Sequence, residues 1–346
     1  MKTFTHPTRA LVLALTLLPL ATLRPAVAQP KWEVAKTFTV GGTGSWDYLT
    51  VAPATHRLYV PRTTHTMVID SESGKTVADI PGQKNAHGVV IVPEAGRGFI
   101  SDGGGDGAVV IFDLKTNAIL GTIPAQPDAD GIIFDPATRR VLVVSGDKGL
   151  LMSLKPDIDP TNGKIDPPIE LGGEPEFLTS DGAGKVYVNL MNKNEVAVVD
   201  IRARKVIARW PVTPGGAPVG MALDKARHRL FIGCRKPQKL IVMSTGDGRI
   251  LSGLPIGESV DAIQLDRGQA FASCRDGSLA VAAETAPGKF AIVQTVKTPP
   301  GARTMGLDPL AHKLYLPTAQ YEQTAEGKSS TKAGTFMIVV VAPHSN

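Results

Sequence analysis

The chain has 346 residues, 42% hydrophobic, 20% charged and only 5% aromatic, with 36 Gly and 27 Pro. That profile excludes a disordered tail, a coiled coil and a disulfide-dense mini-protein, and the length is enough to bury a large core. The net charge of +5 is inflated by the first segment of the chain.

Lys2 and Arg9 precede the apolar run Ala10 to Leu18, and the segment ends in Ala26-Val27-Ala28. This is the pattern of a secretory signal peptide, with cleavage expected before Gln29 and a periplasmic or secreted destination. The run is too short to span a bilayer and is followed by Pro19, Arg24 and Pro25. Removing residues 1–28 takes away three basic and no acidic side chains, leaving a net charge of +2. A nearly neutral chain gives little electrostatic reason to bind nucleic acid or an anionic membrane. No later apolar stretch is long enough to span a membrane. Residues 29–346 are expected to form a single domain.

One pattern then recurs along the chain. Trp46-Asp47-Tyr48-Leu49-Thr50-Val51-Ala52-Pro53 is followed by Ala86-His87-Gly88-Val89-Val90-Ile91-Val92-Pro93 and Ala129-Asp130-Gly131-Ile132-Ile133-Phe134-Asp135-Pro136. It returns at Pro175-Glu176-Phe177, Pro218-Val219-Gly220, Val260-Asp261-Ala262 and Ala302-Arg303-Thr304, at steps of 40, 43, 46, 43, 42 and 42 residues. Each of the seven copies continues with a turn, a short strand centred on Tyr59, Phe99, Leu142, Tyr187, Phe231, Phe271 or Tyr315, and a third apolar strand. Fourth strands are expected at Thr76 to Ile80 and Val206 to Val212. Four short strands in about 42 residues, without helical periodicity, is the signature of a propeller blade. The predicted fold is all-β, a seven-bladed β-propeller of four-stranded antiparallel blades. The last copy stops after its third strand, so Trp32 to Val40 is expected to supply the missing outer strand and seal the ring.

Leu58-Tyr59-Val60, Val186-Tyr187-Val188-Asn189 and the strand-turn spacing resemble the YVTN-repeat, YncE-like seven-bladed propellers of bacteria, many of them exported. The resemblance covers residues 32–342 and implies fold more than function. Members of that family include binding proteins, some of them for single-stranded DNA, and partners of other exported systems. Fold alone does not assign an activity.

The first position of each inner strand reads Asp47, His87, Asp130, Glu176, Val219, Asp261 and Arg303. Six ionisable side chains at one depth, above small and apolar positions, make the channel mouth the candidate ligand-binding site. Asp47, His87, Asp130, Glu176 and Asp261 are also candidate ligands for a divalent metal ion, and Arg303 can pair with an acid or hold an anionic group. The expected function is binding of a small ligand, a metal ion or a protein partner at this mouth. Two alternatives use the same molecule differently. One is a metal-assisted hydrolase or lyase, with His87 as general acid/base and Arg303 on a substrate anion. The other is a protein-interaction scaffold. The residues assign no catalytic constellation.

Loops between second and third strands add Arg62, His65, Asp102, Asp106, Asn192, Asn194, Arg235, Arg275 and Asp276, and the seventh, Pro317 to Gly334, is long enough to act as a lid carrying Tyr321, Glu322 and Glu326, while its low-complexity stretch Gly327 to Lys332 makes plain mobility the expected state without a ligand. Gly103 to Gly107 is expected to be a turn, since it opens no helix. Asp157 to Gly163 departs from a calcium loop in its Gly position and lacks the final Glu. Asp135, Asp181, Asp224, Asp266 and Asp308 are expected to serve local turns. Cys234 and Cys274 occupy equivalent places on neighbouring copies, too far apart for a relaxed bridge, and are candidate soft-metal ligands if the mouth holds such an ion. Members of the resembled family place a partner Cys where this chain has Thr213-Pro214-Gly215-Gly216.

Overall fold

The computed structural model describes residues 1–3, 30–323 and 329–344. Most of the expected leader, its cleavage point and Glu326 of the long loop lie outside the described residues. Residues 31–346 form one compact unit.

The strands follow from hydropathy. In repeat four, Lys185–Leu190 and Glu195–Asp200 bury almost every side chain, so both read as continuous apolar runs. The next strand, Lys205–Pro211, alternates between exposed and half-buried residues, as a strand with one wet face does. Repeats three, four, five and six each make a separate four-stranded antiparallel sheet. In repeat seven, Trp32–Thr39 pairs antiparallel with Met337–Pro343, from Trp32 opposite Pro343 to Thr39 opposite Met337. Repeats one and two share one seven-stranded sheet. The expected fourth strand at Thr76 to Ile80 does not stop there but runs through to Val92, because Thr63 keeps pairing with Ala86 beyond the bend at Pro81 and Gly82. Among the described residues helical structure is limited to three short 3₁₀ turns, and no helix is long and apolar enough to cross a membrane.

Consecutive inner strands lie against one another from Thr50–Ala52 to Gly306–Asp308, and the last lies against the first. The fold is a β-propeller. Its core sits between adjacent sheets: Tyr59, Val68 and Ile80 of repeat one pack with Val89, Ile100 and Phe112 of repeat two. Gly98 makes room there, since a Cβ at that position would lie 2.0 Å from the Phe112 ring.

Candidate functional site at the channel mouth

Four of the six ring residues, His87, Asp130, Glu176 and Asp261, sit on bulges, and Asp47 and Arg303 lie in the segments before their inner strands. In repeats two to five, two residues of the inner strand face one residue of its neighbour: His87-Gly88 opposite Ser101, Asp130-Gly131 opposite Val144, Glu176-Phe177 opposite Asn189, and Val219-Gly220 opposite Gly233. In repeat six Asp261 is the extra residue between Val260 and Ala262. A bulge bends its strand and re-aims a side chain, which turns His87, Asp130, Glu176 and Asp261 into the mouth, whereas Val219 of repeat five stays fully buried and does not line it. Polar side chains occupy the broken ladder. Ser101 Oγ accepts from the Gly88 N–H at 3.0 Å, Asn189 Nδ2 donates to the Val219 carbonyl at 2.5 Å, and Ser273 Oγ donates to the Arg303 carbonyl. Glycine follows the ring residue where neighbouring backbone is closest: a Cβ at Gly220 would lie 2.4 Å from the Asp261 carbonyl oxygen.

All six predicted ring residues line one cavity of about 360 Å³, joined by Tyr48, Arg235, Ser259 and Arg275. Of the predicted loop residues, only Arg235 and Arg275 reach it. Arg62 is buried elsewhere, donating to the carbonyls of Gly41, Gly44 and Ser45 and stacking 3.6 Å from the Phe336 ring centre. Asp102, Asn192, Asn194 and Asp276 accept from the backbone N–H groups of Asn85, Glu174, Ala217 and Glu258. These four side chains clasp neighbouring loops. Tyr321–Gln323 pairs with Ser329–Thr331 as a small hairpin, and neither Tyr321 nor Glu322 lines the cavity.

The cavity has two electrostatic halves. On one side His87 Nδ1 lies 2.7 Å from Asp47 Oδ2 and 3.6 Å from Asp130 Oδ1. Burial opposes charge on the imidazole, but the hydrogen bond to Asp47 and the negative charges of Asp130 and Asp47 outweigh it and lift His87 to about 9. Burial pushes Asp130 well above the usual carboxylate range, against the charge of His87 and with that of Asp47, Glu176 and Asp128. On the other side Asp261 accepts from Arg235 Nη2 and Arg303 Nε, each at 2.5 Å. Burial raises its pKa while the two guanidinium groups oppose that, and acceptance of two charge-assisted bonds is the chemistry of the ionised carboxylate. Glu176 sits between the halves. Burial raises it to about 7, with Asp261 and Asp47 adding to the rise and Arg235, 3.9 Å away, opposing it. Four carboxylates therefore face three arginines and a histidine, and the acidic bias of the ring positions is offset by Arg235 and Arg275 from the loops. Exposed Arg275 has no side-chain hydrogen bond or ion pair among the described residues.

Tyr48 joins the polar cavity to a second one. It lines both this cavity and a second, mainly apolar one of about 310 Å³ deeper in the channel, and its ring lies 4.8 Å from that of Phe177. Burial lifts the Tyr48 hydroxyl well above its ordinary pKa, so it stays a neutral phenol. Tyr48 stands where repeats two, three and five carry Gly88, Gly131 and Gly220, a size contrast that marks it in the sequence. Ser259 and Asn85, whose amide lies 2.7 Å from His87 Nε2, carry no such mark.

Of the five candidate metal ligands, Asp47, His87 and Asp130 bring one ligand atom each within 4.8 Å of one another. Both oxygens of Asp261 are engaged by arginine, and Glu176 faces Arg235. The cysteines are free and fully buried, burial pushes both thiols up to about 12, and neither lines the mouth. Asp159 accepts from the N–H groups of Thr161 and Asn162, as a turn residue does. Asp181, Asp224 and Asp308 likewise serve their own turns. Asp135 serves its own turn through Thr138 and also reaches Ser180 Oγ of the next repeat at 2.5 Å, whereas the Asp266 carboxylate is bonded to His312 Nδ1 of the next repeat, at 3.0 Å.

No family model matches the chain, and no curated protein is matched. Among solved structures the chain is similar to Kuenenia stuttgartiensis hydrazine synthase, with a TM-score of 0.68 over 84% of this chain and 96% of that one, at 10% sequence identity. The likeness is one of fold.

Proposed function

We propose that the chain is an exported seven-bladed propeller that binds a small, water-soluble ligand bearing an acidic group at its polar mouth. Seven sequence repeats, the cyclic succession of inner strands and the pairing of Trp32–Thr39 with the last repeat support the blade count and closure. The leader-like residues 1–28 support export to the periplasm or beyond, and the strand motifs support membership of the YVTN-repeat, YncE-like group. The observation that carries the functional reading is the convergence of six ring residues and two loop arginines on one cavity. Its volume falls at the small end of ligand clefts, about 300–1,000 Å³. Arg235 and Arg303 are already bonded to Asp261, whereas Arg275 is free to take a carboxylate or other oxyanion. Glu176 and Asp47 are placed to accept from ligand hydroxyl or amino groups. The hydrolase or lyase alternative depends on a divalent cation held by ring carboxylates, with His87 left free as general acid/base.

The reading is tested by thermal shift with a panel of short mono- and dicarboxylates, amino acids and sugar acids, followed by calorimetry on whatever binds. At least one should raise the melting temperature by several degrees, and Arg275→Ala should remove that response without lowering the unliganded melting temperature. A panel without response, or a response that Arg275→Ala leaves intact, would refute an acid-binding mouth.

A further inference from the structure

We propose that Asp47, His87 and Asp130 form a binding site for one divalent transition-metal cation. The inference rests on the mouth being the ligand site and names one component of what it holds. Asp47 comes from the segment before the inner strand of repeat one and His87 and Asp130 from the bulged inner strands of repeats two and three, and their candidate ligand atoms lie within 4.8 Å of one another.

A second, separate observation points to a ligand. Asp130 is only 9% exposed and lines the cavity, yet its Oδ1 has no hydrogen-bond partner in the structure. A buried carboxylate oxygen without a donor is costly. The nearest cationic atom, His87 Nδ1, lies 3.6 Å away and already serves Asp47 at 2.7 Å. A cation among the three groups would give that oxygen a bond and take over the Asp47 contact.

The surroundings suit an imidazole ligand. Gly103 packs against the ring: a Cβ there would lie 3.0 Å from both Cδ2 and Nε2, so a larger residue would press on the imidazole. The Asn85 side-chain amide lies 2.7 Å from Nε2. Bound through Nδ1, the imidazole must donate its Nε2–H to an acceptor, and a half-turn of the Asn85 amide presents Oδ1 for that purpose. Two carboxylates and one neutral imidazole balance a 2+ charge. This donor set of two oxygens and one nitrogen suits Mn²⁺, Fe²⁺ or Zn²⁺, with the remaining coordination positions turned to the cavity. Asp261 is excluded from the set by its two guanidinium partners.

The test uses the full chain, stripped with a chelator and dialysed. Binding of Mn²⁺ is followed by loss of the free-ion electron paramagnetic resonance signal, and binding of Zn²⁺ by calorimetry. One equivalent per chain is expected, and Asp130→Asn and His87→Gln should each weaken it by about tenfold or more. Asp47→Asn serves as the replacement if either variant fails to fold. His344→Gln, which removes an exposed His lying beside Glu33, should change nothing. No uptake of either ion at about 1 mM, or uptake insensitive to these ring substitutions, would overturn the site. A response to carboxylates that still depends on Arg275, without metal uptake, would overturn the cation site alone. Absence of both would overturn the mouth reading with it.

Discussion

Arg303 Nε donates to Asp261 Oδ2 at 2.5 Å, tying the ring position of repeat seven to that of repeat six. Arg235 holds the other oxygen from repeat five, so one nearly buried carboxylate stitches three repeats together. Asp261→Ala would leave two guanidinium groups facing each other, and breaking a buried charge network from one side costs about 3–5 kcal/mol. Arg303→Ala leaves Arg235 in place and should cost less. Urea denaturation of both variants checks the order, and equal losses would show that Arg235 does not share the load.

Glu176 predicts a pH dependence with a definite sign. Its folded-state pKa is raised to about 7 from an ordinary 4.5, so the folded protein holds a proton that the unfolded chain has released. Stability linked to this group is present below the unfolded value and is lost as pH rises from there through about 7. Glu176→Gln never ionises. The variant should match the parent near pH 4 and exceed it by about 2 kcal/mol near pH 8. A variant weaker than the parent at the higher pH would mean that the Arg235 contact outweighs burial.

The N-terminal strand should be indispensable. Trp32 Nε1 donates to Gln269 Oε1 at 2.7 Å and its ring meets Phe271 edge-on at 4.6 Å, so the outer strand of repeat seven is anchored in repeat six. Trp32→Ala should cost about 3–5 kcal/mol. Deleting residues 30–39 should also expose the edge of Met337–Pro343 and promote aggregation. An unaltered denaturation midpoint after either change would contradict the anchoring role.

A bridge can be installed at Cys234. A Cβ at Gly215 would lie 2.6 Å from the Cys234 sulfur and 3.1 Å from its Cβ, closer than the roughly 3.5–4.5 Å between the Cβ atoms of a relaxed bridge, so Gly215→Cys sets a second thiol against it once the loop gives way slightly. After air oxidation this variant should titrate one free thiol, Cys274, and gain about 3 kcal/mol over its reduced form. Three titrating thiols in the oxidised sample would show that the loop cannot bring the sulfurs into line.

Much of this architecture could be read from the chain because each repeat must solve the same packing problem, and the solution leaves the same spacing behind. The depth of the ring was readable for the same reason: Asp47, His87, Asp130, Glu176, Asp261 and Arg303 share one position in the repeat. Charge balance was not. Arg235 lies 26 residues before its partner Asp261, and nothing local separates it from Asp102, Asn192 or Asp276, whose equivalent loops turn their side chains onto backbone N–H groups instead. The unbroken strand Thr76–Val92 was hidden because Pro81 and Gly82 look like a stop, and only pairing with Thr63 carries the ladder past them. The bulges left a partial trace, the glycine that follows His87, Asp130 and Val219.

Tyr48 belongs to both cavities along the channel, and its ring lies 4.8 Å from that of Phe177, which lines the second, mainly apolar one. A molecule held among the acids and guanidinium groups would therefore meet an aromatic face on its inner side. Its carbon skeleton, and not its charges alone, would decide how well it fits.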